Sequence, residues 1–219
     1  MPVLLLNPNT NSATTQAMVH LARQACRDLT INGRTAPFGA PMIVDETGLA
    51  IGAQSVMAML DTALLRGEPI DGVIVAAFGD PGLAAIRAKL DRPVCGIGEA
   101  SFLEAAQGGR RFAVATTTPE LAGAIGLNID KAGLSEQFAG VFLTREDPYE
   151  LVAEPPRLLA ALKQAARKAL DAGAEAVIIG GGPLAIVAQK LRAAFNAPII
   201  DPVSAAARRI AKLIGKQKY

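Results

Sequence analysis

The chain has 219 residues, 51 % of them hydrophobic and 19 % charged, with a formal net charge of +2. That length and apolar content allow a sizeable buried core and exclude a disordered chain. Aromatic residues make up 4 %, tryptophan is absent, and the basic residues are scattered apart from Lys212, Lys216 and Lys218. Those lysines read as a solvated tail, and no nucleic-acid partner is expected.

In chain order, MPVLLLNPNT has no basic stretch ahead of its apolar run, which stops at Leu6. It reads as a core strand, Val3–Leu6, rather than a signal peptide. A helical pattern follows over Ser12–Asp28, then a weaker strand at Leu29–Ala36 and a helix at Gly48–Arg66. Strand Val73–Ala77, helix Pro81–Lys89, strand Val94–Ile97 and helix Glu99–Gln107 come next. Beyond them lie strand Phe112–Thr116 and helices Pro119–Asn128 and Pro155–Ala172. Strand Val177–Ile179, helix Pro183–Ala194, strand Ile199–Ile200 and helix Val203–Ile214 complete the series. Such alternation predicts an α/β fold, with mostly parallel sheets flanked by helices. The pattern runs twice, so two pseudosymmetric halves are expected, 1–97 plus 201–219 and 98–200, with an active-site cleft between them. No apolar stretch approaches the roughly 18 residues of a membrane span. Two cysteines make no disulfide framework, and a cytoplasmic protein without a membrane partner is expected.

The strand exits resemble one another. Leu6 leads into Asn7-Pro8-Asn9-Thr10 and Val75 into Ala76-Ala77-Phe78-Gly79-Asp80-Pro81. Ala115 leads into Thr116-Thr117-Thr118-Pro119-Glu120 and Ile179 into Gly180-Gly181-Gly182-Pro183. Proline suits a first helical turn, where its missing N–H has no partner to lose. Thr118, Pro119 and Glu120 look like an N-cap, a first helical residue and an acid placed for the helix dipole. Helix N-termini gathered at one crevice suit an anionic or carbonyl-rich ligand.

The usual chemistries find little support. Gly180–Ala185 fits the pattern G-x-G-x-x-A, and Asp201 lies at a suitable distance. Too few residues follow for a dinucleotide domain, and Pro183 removes an amide. His20 sits mid-helix, as an exposed or boundary residue. Cys26 reads as buried packing. Core packing is also the simpler account of Cys95, although its place before Gly96 makes it a candidate thiol. Asp80, Glu99 and Asp201 each follow a strand end and could face the cleft, while turn formation and helix capping explain them equally.

Taken together, Leu6-Asn7-Pro8-Asn9-Thr10, Phe78-Gly79-Asp80-Pro81-Gly82-Leu83, Gly96-Ile97-Gly98-Glu99-Ala100, Val114-Ala115-Thr116-Thr117 and Pro198-Ile199-Ile200-Asp201 carry a resemblance. In this order they make the chain similar to the hydantoin and allantoin racemase branch of the aspartate/glutamate racemase superfamily. That resemblance implies two α/β halves, no cofactor or metal, and homo-oligomers. It also implies a cysteine from each half on opposite faces of a substrate carbon, one removing and one delivering a proton. Here those positions are Ala77 and Gly181, so the two-thiol chemistry is expected to be absent. Asp80 and Glu99 are then the candidate catalytic groups. Substrate-binding candidates are Asn7, Asn9, Thr10, Phe78, Thr116 and Thr117, with Gly180 and Gly182 in an oxyanion cradle made by the Gly180–Gly182 amides. The expected partner is a small ureide, amino-acid derivative or small carboxylate. A cysteine-independent lyase or hydrolase and an inactive binding protein are the alternatives.

Overall fold

The computed structural model describes residues 1–217, so Lys218 of the expected lysine tail lies outside the described residues. The first part runs β1 (Pro2–Asn7), α1 (Ser12–Ala25), β2 (Thr30–Thr35), α2 (Glu46–Leu65), β3 (Gly72–Val75), α3 (Leu83–Lys89), β4 (Val94–Gly96) and α4 (Ile97–Ala105). The second runs β5 (Phe112–Thr116), α5 (Ala122–Lys131), β6 (Phe138–Leu143), α6 (Pro148–Ala153), α7 (Pro155–Asp171), β7 (Ala176–Ile179), α8 (Ala185–Leu191), β8 (Ile199–Ile200) and α9 (Pro202–Gln217). They form two four-stranded sheets with orders β2-β1-β3-β4 and β6-β5-β7-β8, parallel at every pairing.

Both sheets follow one plan, and their registers superimpose. Leu6 pairs with Val75 in the first sheet, and Ala115 with Ile179 in the second. Ile74 pairs with Cys95, and Ile178 with Ile200. Central strands β3 and β7 are buried throughout, which is why Gly72–Val75 and Ala176–Ile179 read as continuous apolar runs rather than alternating ones. The helix after each last strand does not stay with its own sheet alone. α4 leaves β4 and packs on β7, β8 and α5, whereas α9 leaves β8 and packs on α1, β3 and β4. The two helices also pack on each other.

Several sequence expectations need correction. β6 was not foreseen: it is an edge strand whose residues are all only half-buried, it has a register shift against β5, and Gly140 interrupts it at φ 121°. α6 was also missed; Asp147 caps it by accepting from the amides of Tyr149 and Glu150. Thr118 stands at the cap position of a single 3-10 turn, Pro119–Leu121, but makes no side-chain capping bond. Cys26 is half-buried rather than buried, whereas His20 is exposed as expected. Finally, α2 has 20 residues and is long and apolar enough to cross a membrane by length and composition. Its buried residues Gly52, Ser55, Val56, Met59, Leu60 and Ala63 recur at helical spacing, which makes one face of α2 a core-packing face.

Candidate active site

Strand exits from both sheets line a single cavity of about 60 Å³, several times the roughly 10–15 Å³ that one water needs. Asn9 comes from the β1 exit, Ala77, Phe78 and Gly79 from β3, Thr116 to Thr118 from β5, and Gly180 to Gly182 from β7. Parallel strands present their carboxyl ends on one side, so a crevice forms there whenever two such edges meet. Met42, Ile43, Leu49, Leu121, Ile125 and Val152 supply an apolar wall. None of these six was legible as a site residue, because an apolar side chain near a helix end looks the same whether it faces a core or a cavity.

The two exits interlock. A Cβ on Gly180 would stand 2.8 Å from Phe78 Cε1, and one on Gly182 would stand 2.8 Å from Met18 Sδ and 3.3 Å from the Ala76 carbonyl oxygen. Asn128 Nδ2 adds a bond to the Gly79 carbonyl at 3.0 Å. Phe78 itself is anchored edge-on to Phe102, with ring centroids 5.5 Å apart. Close approach therefore favours glycine at both positions.

The polar groups divide into those already committed and those left open. The Ala76 amide donates to the Leu6 carbonyl and the Gly180 amide to the Ala115 carbonyl, so both continue the sheet ladders. Gly180 therefore does not donate into the oxyanion cradle as expected. Next along the chain, the amides of Ala77, Phe78 and Gly79, and of Gly181 and Gly182, have no acceptor among the described residues. Thr116 Oγ1 donates to the Gly180 carbonyl at 2.7 Å, tying the β5 and β7 exits together, whereas the Thr117 hydroxyl has no partner among the described residues and Thr117 lines the cavity.

Asn7 and Thr10 support the site rather than line it. Asn7 is fully buried; its Nδ2 donates to Asn9 Oδ1 at 2.9 Å and to Thr15 Oγ1 at 2.9 Å, and its Oδ1 accepts from the Asn9 amide at 3.2 Å. This fixes Asn9, which does line the cavity. The Thr10 amide donates to the Ala40 carbonyl at 3.0 Å and holds the loop that carries Met42 and Ile43.

Asp80 and Glu99 come together with each other but are absent from the cavity lining. Asp80 adopts φ 49°, a left-handed conformation that Asp tolerates better than most residues. Its carboxylate caps α4: Oδ1 accepts from the Gly98 amide at 2.9 Å and Oδ2 from the Glu99 amide at 2.6 Å. Burial pushes Asp80 up to about 7, against the opposing pull of those two amide bonds and Arg87. Glu99 pairs with Arg87 at 2.6 Å. Both carboxylates are thus engaged outside the cavity lining, Asp80 in a helix cap and Glu99 in an ion pair. Asp201 is likewise a cap, accepting from the amides of Val203 and Ser204 and from Ser204 Oγ. Cys95 is fully buried, its Sγ donates to the Ala206 carbonyl at 3.6 Å, and burial pushes its thiol well above the usual range. Among the described residues, no ionisable side chain lines the cavity.

Ala77 and Gly181 both line it. They differ in one respect: Gly181 has φ 150°, and a Cβ there would lie 3.1 Å from two carbons of Leu184.

This double-exit cavity can be compared with known proteins. Residues 3–210 match the family model described as Asp/Glu/Hydantoin racemase. The chain belongs to the Asp/Glu/hydantoin racemase family. Among family relatives, a hydantoin racemase from Paenarthrobacter aurescens is 29 % identical over 98 % of this chain and 91 % of its own. An allantoin racemase structure from Klebsiella pneumoniae superimposes with a TM-score of 0.92 at 28 % identity, covering 99 % of this chain and 89 % of that one. A glutamate racemase structure from Bacillus anthracis shares the two-sheet fold, with a TM-score of 0.67 at 15 % identity, over 98 % of this chain and 82 % of that one. The two-sheet racemase fold is thus common ground.

Proposed function

We propose that this racemase-family cavity takes a small ureide of the hydantoin type, or a related amino-acid derivative, and holds its carbonyl oxygens without two-thiol proton transfer. In this reading the halves are 1–97 plus 201–219 and 98–200, and Ala77 and Gly181 occupy the positions of the family's two cysteines. The observation that carries it is the lining itself: open amides on both exits around an apolar wall, with no side chain able to gain or lose a proton near neutrality.

Such a lining does specific things. Amides of Gly181 and Gly182 can donate to one ligand carbonyl and those of Ala77 to Gly79 to another, an arrangement that also stabilises charge developing on oxygen. Thr117 Oγ1 offers a further donor or acceptor, and Asn9 another. The wall of Met42, Ile43, Leu49 and Ile125 receives an apolar substituent. A missing general acid or base costs about 10²–10⁴-fold in rate, so tight holding with slow or no proton exchange follows. The alternative of carboxylate-driven turnover loses its support, because Asp80 and Glu99 are spent on α4 and Arg87.

The test combines calorimetric binding of hydantoin and allantoin with NMR exchange of the α-proton in deuterium oxide. Wild-type protein is expected to bind one of them saturably and to exchange its proton no faster than buffer. Ala77→Cys should introduce solvent exchange without inversion, since one thiol serves one face. Gly181→Cys forces a side chain onto a conformation that only glycine adopts easily, so the double variant should racemise only after that loop shifts. Rapid exchange by the wild type would overturn the missing acid–base pair. No binding of either compound would overturn the ligand class.

A further inference from the structure

A second concave site lies where the crossover helices meet, and it shares no residue with the cavity above. On α9, Ala205, Arg208, Arg209 and Lys212 recur at helical spacing and face Ala100, Leu103 and Glu104 of α4 and Gln107 just beyond its end. Pro198 and Ile200 close the groove, Arg110 stands at its side, and its volume is about 600 Å³.

Its charges are unbalanced. Glu104 is the single acid among the lining residues, and both its oxygens are taken by Arg208, at 3.0 Å from Nε and 2.7 Å from Nη2. Arg110 turns back on the end of α4, donating to the carbonyls of Ala105 and Glu104 at 3.0 and 2.8 Å, and keeps its charge. Arg209 Nε is buried with no hydrogen-bond partner among the described residues. A buried guanidinium N–H without an acceptor is costly, and that cost is relieved where the half-buried Arg209 side chain turns to meet an anion in the groove it lines. Lys212, exposed one turn beyond Arg208, joins Arg110 and Arg209 as a third lining cation without an ion pair among the described residues.

We propose that the α4–α9 groove binds a small organic anion carrying phosphate or carboxylate groups, with Arg209 and Lys212 as its charged partners. Arginine presents a planar fork suited to both kinds of oxyanion, and lysine adds a point charge. The volume falls within the range of small-molecule sites and exceeds what a lone inorganic ion fills. Because α4 leaves the first sheet and α9 the second, the ligand touches both connections between the halves.

Calorimetry at constant ionic strength, with pyrophosphate and citrate as probes, tests this. Saturable binding of pyrophosphate alone identifies a phosphate ligand, and of citrate alone a carboxylate one. Arg209→Gln and Lys212→Gln should each weaken binding about tenfold, the effect of one charge-assisted contact. Lys163→Gln, exposed on α7, should leave it unchanged. Should Arg209→Gln fail to fold, Lys212→Gln at its exposed position decides alone. Binding of neither probe, or an equal loss in Lys163→Gln, overturns the proposal. So does sedimentation showing that wild type self-associates and Lys212→Gln does not, since a second copy then covers the groove.

Discussion

The ring of Phe78 lies against Gly180 so closely that a methyl group there would stand 2.8 Å from both Phe78 Cε1 and Val114 Cγ1. One residue leaves the first sheet and the other the second, so this contact sets how closely the two exits approach around the cavity. Gly180→Ala should therefore overpack the junction and cost about 1–3 kcal/mol. For a chain of this size that is a fall in Tm of about 2–4 °C per kcal/mol. Phe78→Leu in the Gly180→Ala background should recover part of the loss, a coupling read from the double-mutant cycle. Strictly additive losses would show that the ring is not what the glycine accommodates.

Pseudosymmetry also explains an exchanged carboxylate. Register places Gly96 and Asp201 at equivalent points, each one residue beyond the paired Cys95 and Ile200. Asp201 caps the α9 amides of Val203 and Ser204 from its own strand end. Gly96 has no side chain, and Asp80 from the neighbouring loop caps α4 instead. A Cβ on Gly96 would lie 2.1 Å from the Asp80 carboxyl, so the two solutions exclude each other. Asp80→Ala should cost about 0.5–2 kcal/mol as a lost cap, and Gly96→Asp alone should also destabilise through the clash. Their combination should melt above either single variant; a double variant no better than Asp80→Ala would remove the equivalence.

Asp80 further gives stability a pH dependence of defined sign. Burial raises its carboxyl from 3.8 to about 7, so between those values the folded chain keeps a proton that the unfolded chain has lost. The unfolded state then binds fewer protons, and stability falls as pH rises through that window. The favourable contribution is complete below about 4 and is lost once pH passes about 7. Asp201 is raised as well, by burial first, and acts in the same direction. Asp80→Asn cannot titrate, so its Tm should fall less steeply across the window than that of wild type. Parallel curves would show that Asp80 titrates normally in the folded state.

The sequence carried the parallel α/β plan because buried strands such as Val73–Val75 and Val177–Ile179 are continuous apolar runs bounded by glycine and proline. β6 escaped because Gly140 interrupts its short apolar run Phe138–Leu143 and the strand lies half-buried at a sheet edge. Strand exits were legible as turns, and their convergence followed from parallel topology. What individual residues do there depends on neighbours far along the chain. Asp80 meets Gly98 and Glu99 only through sheet order. Asn7 turns toward Thr15 on α1, so a residue that reads as a ligand contact becomes a brace for Asn9.

Adjacent threonines of the β5 exit should separate binding from architecture. Thr116 and Thr117 are both nearly buried, at 1 % and 4 % exposure, and they look alike in sequence. Thr116 spends its hydroxyl on the Gly180 carbonyl at 2.7 Å, so Thr116→Val leaves a buried acceptor unpaired at a cost of about 1–3 kcal/mol. Thr117 has no such partner, so Thr117→Val should leave Tm within about 1 °C of wild type, the small change expected when no folded-state bond is lost. If the cavity holds a ureide as proposed, Thr117→Val should weaken hydantoin binding by about five- to tenfold, the value of one neutral hydrogen bond. Calorimetric titration and thermal melting of the two variants side by side check both halves of this contrast. Equal effects of the two substitutions on binding and on Tm would mean that the Thr117 hydroxyl serves the fold and not the ligand.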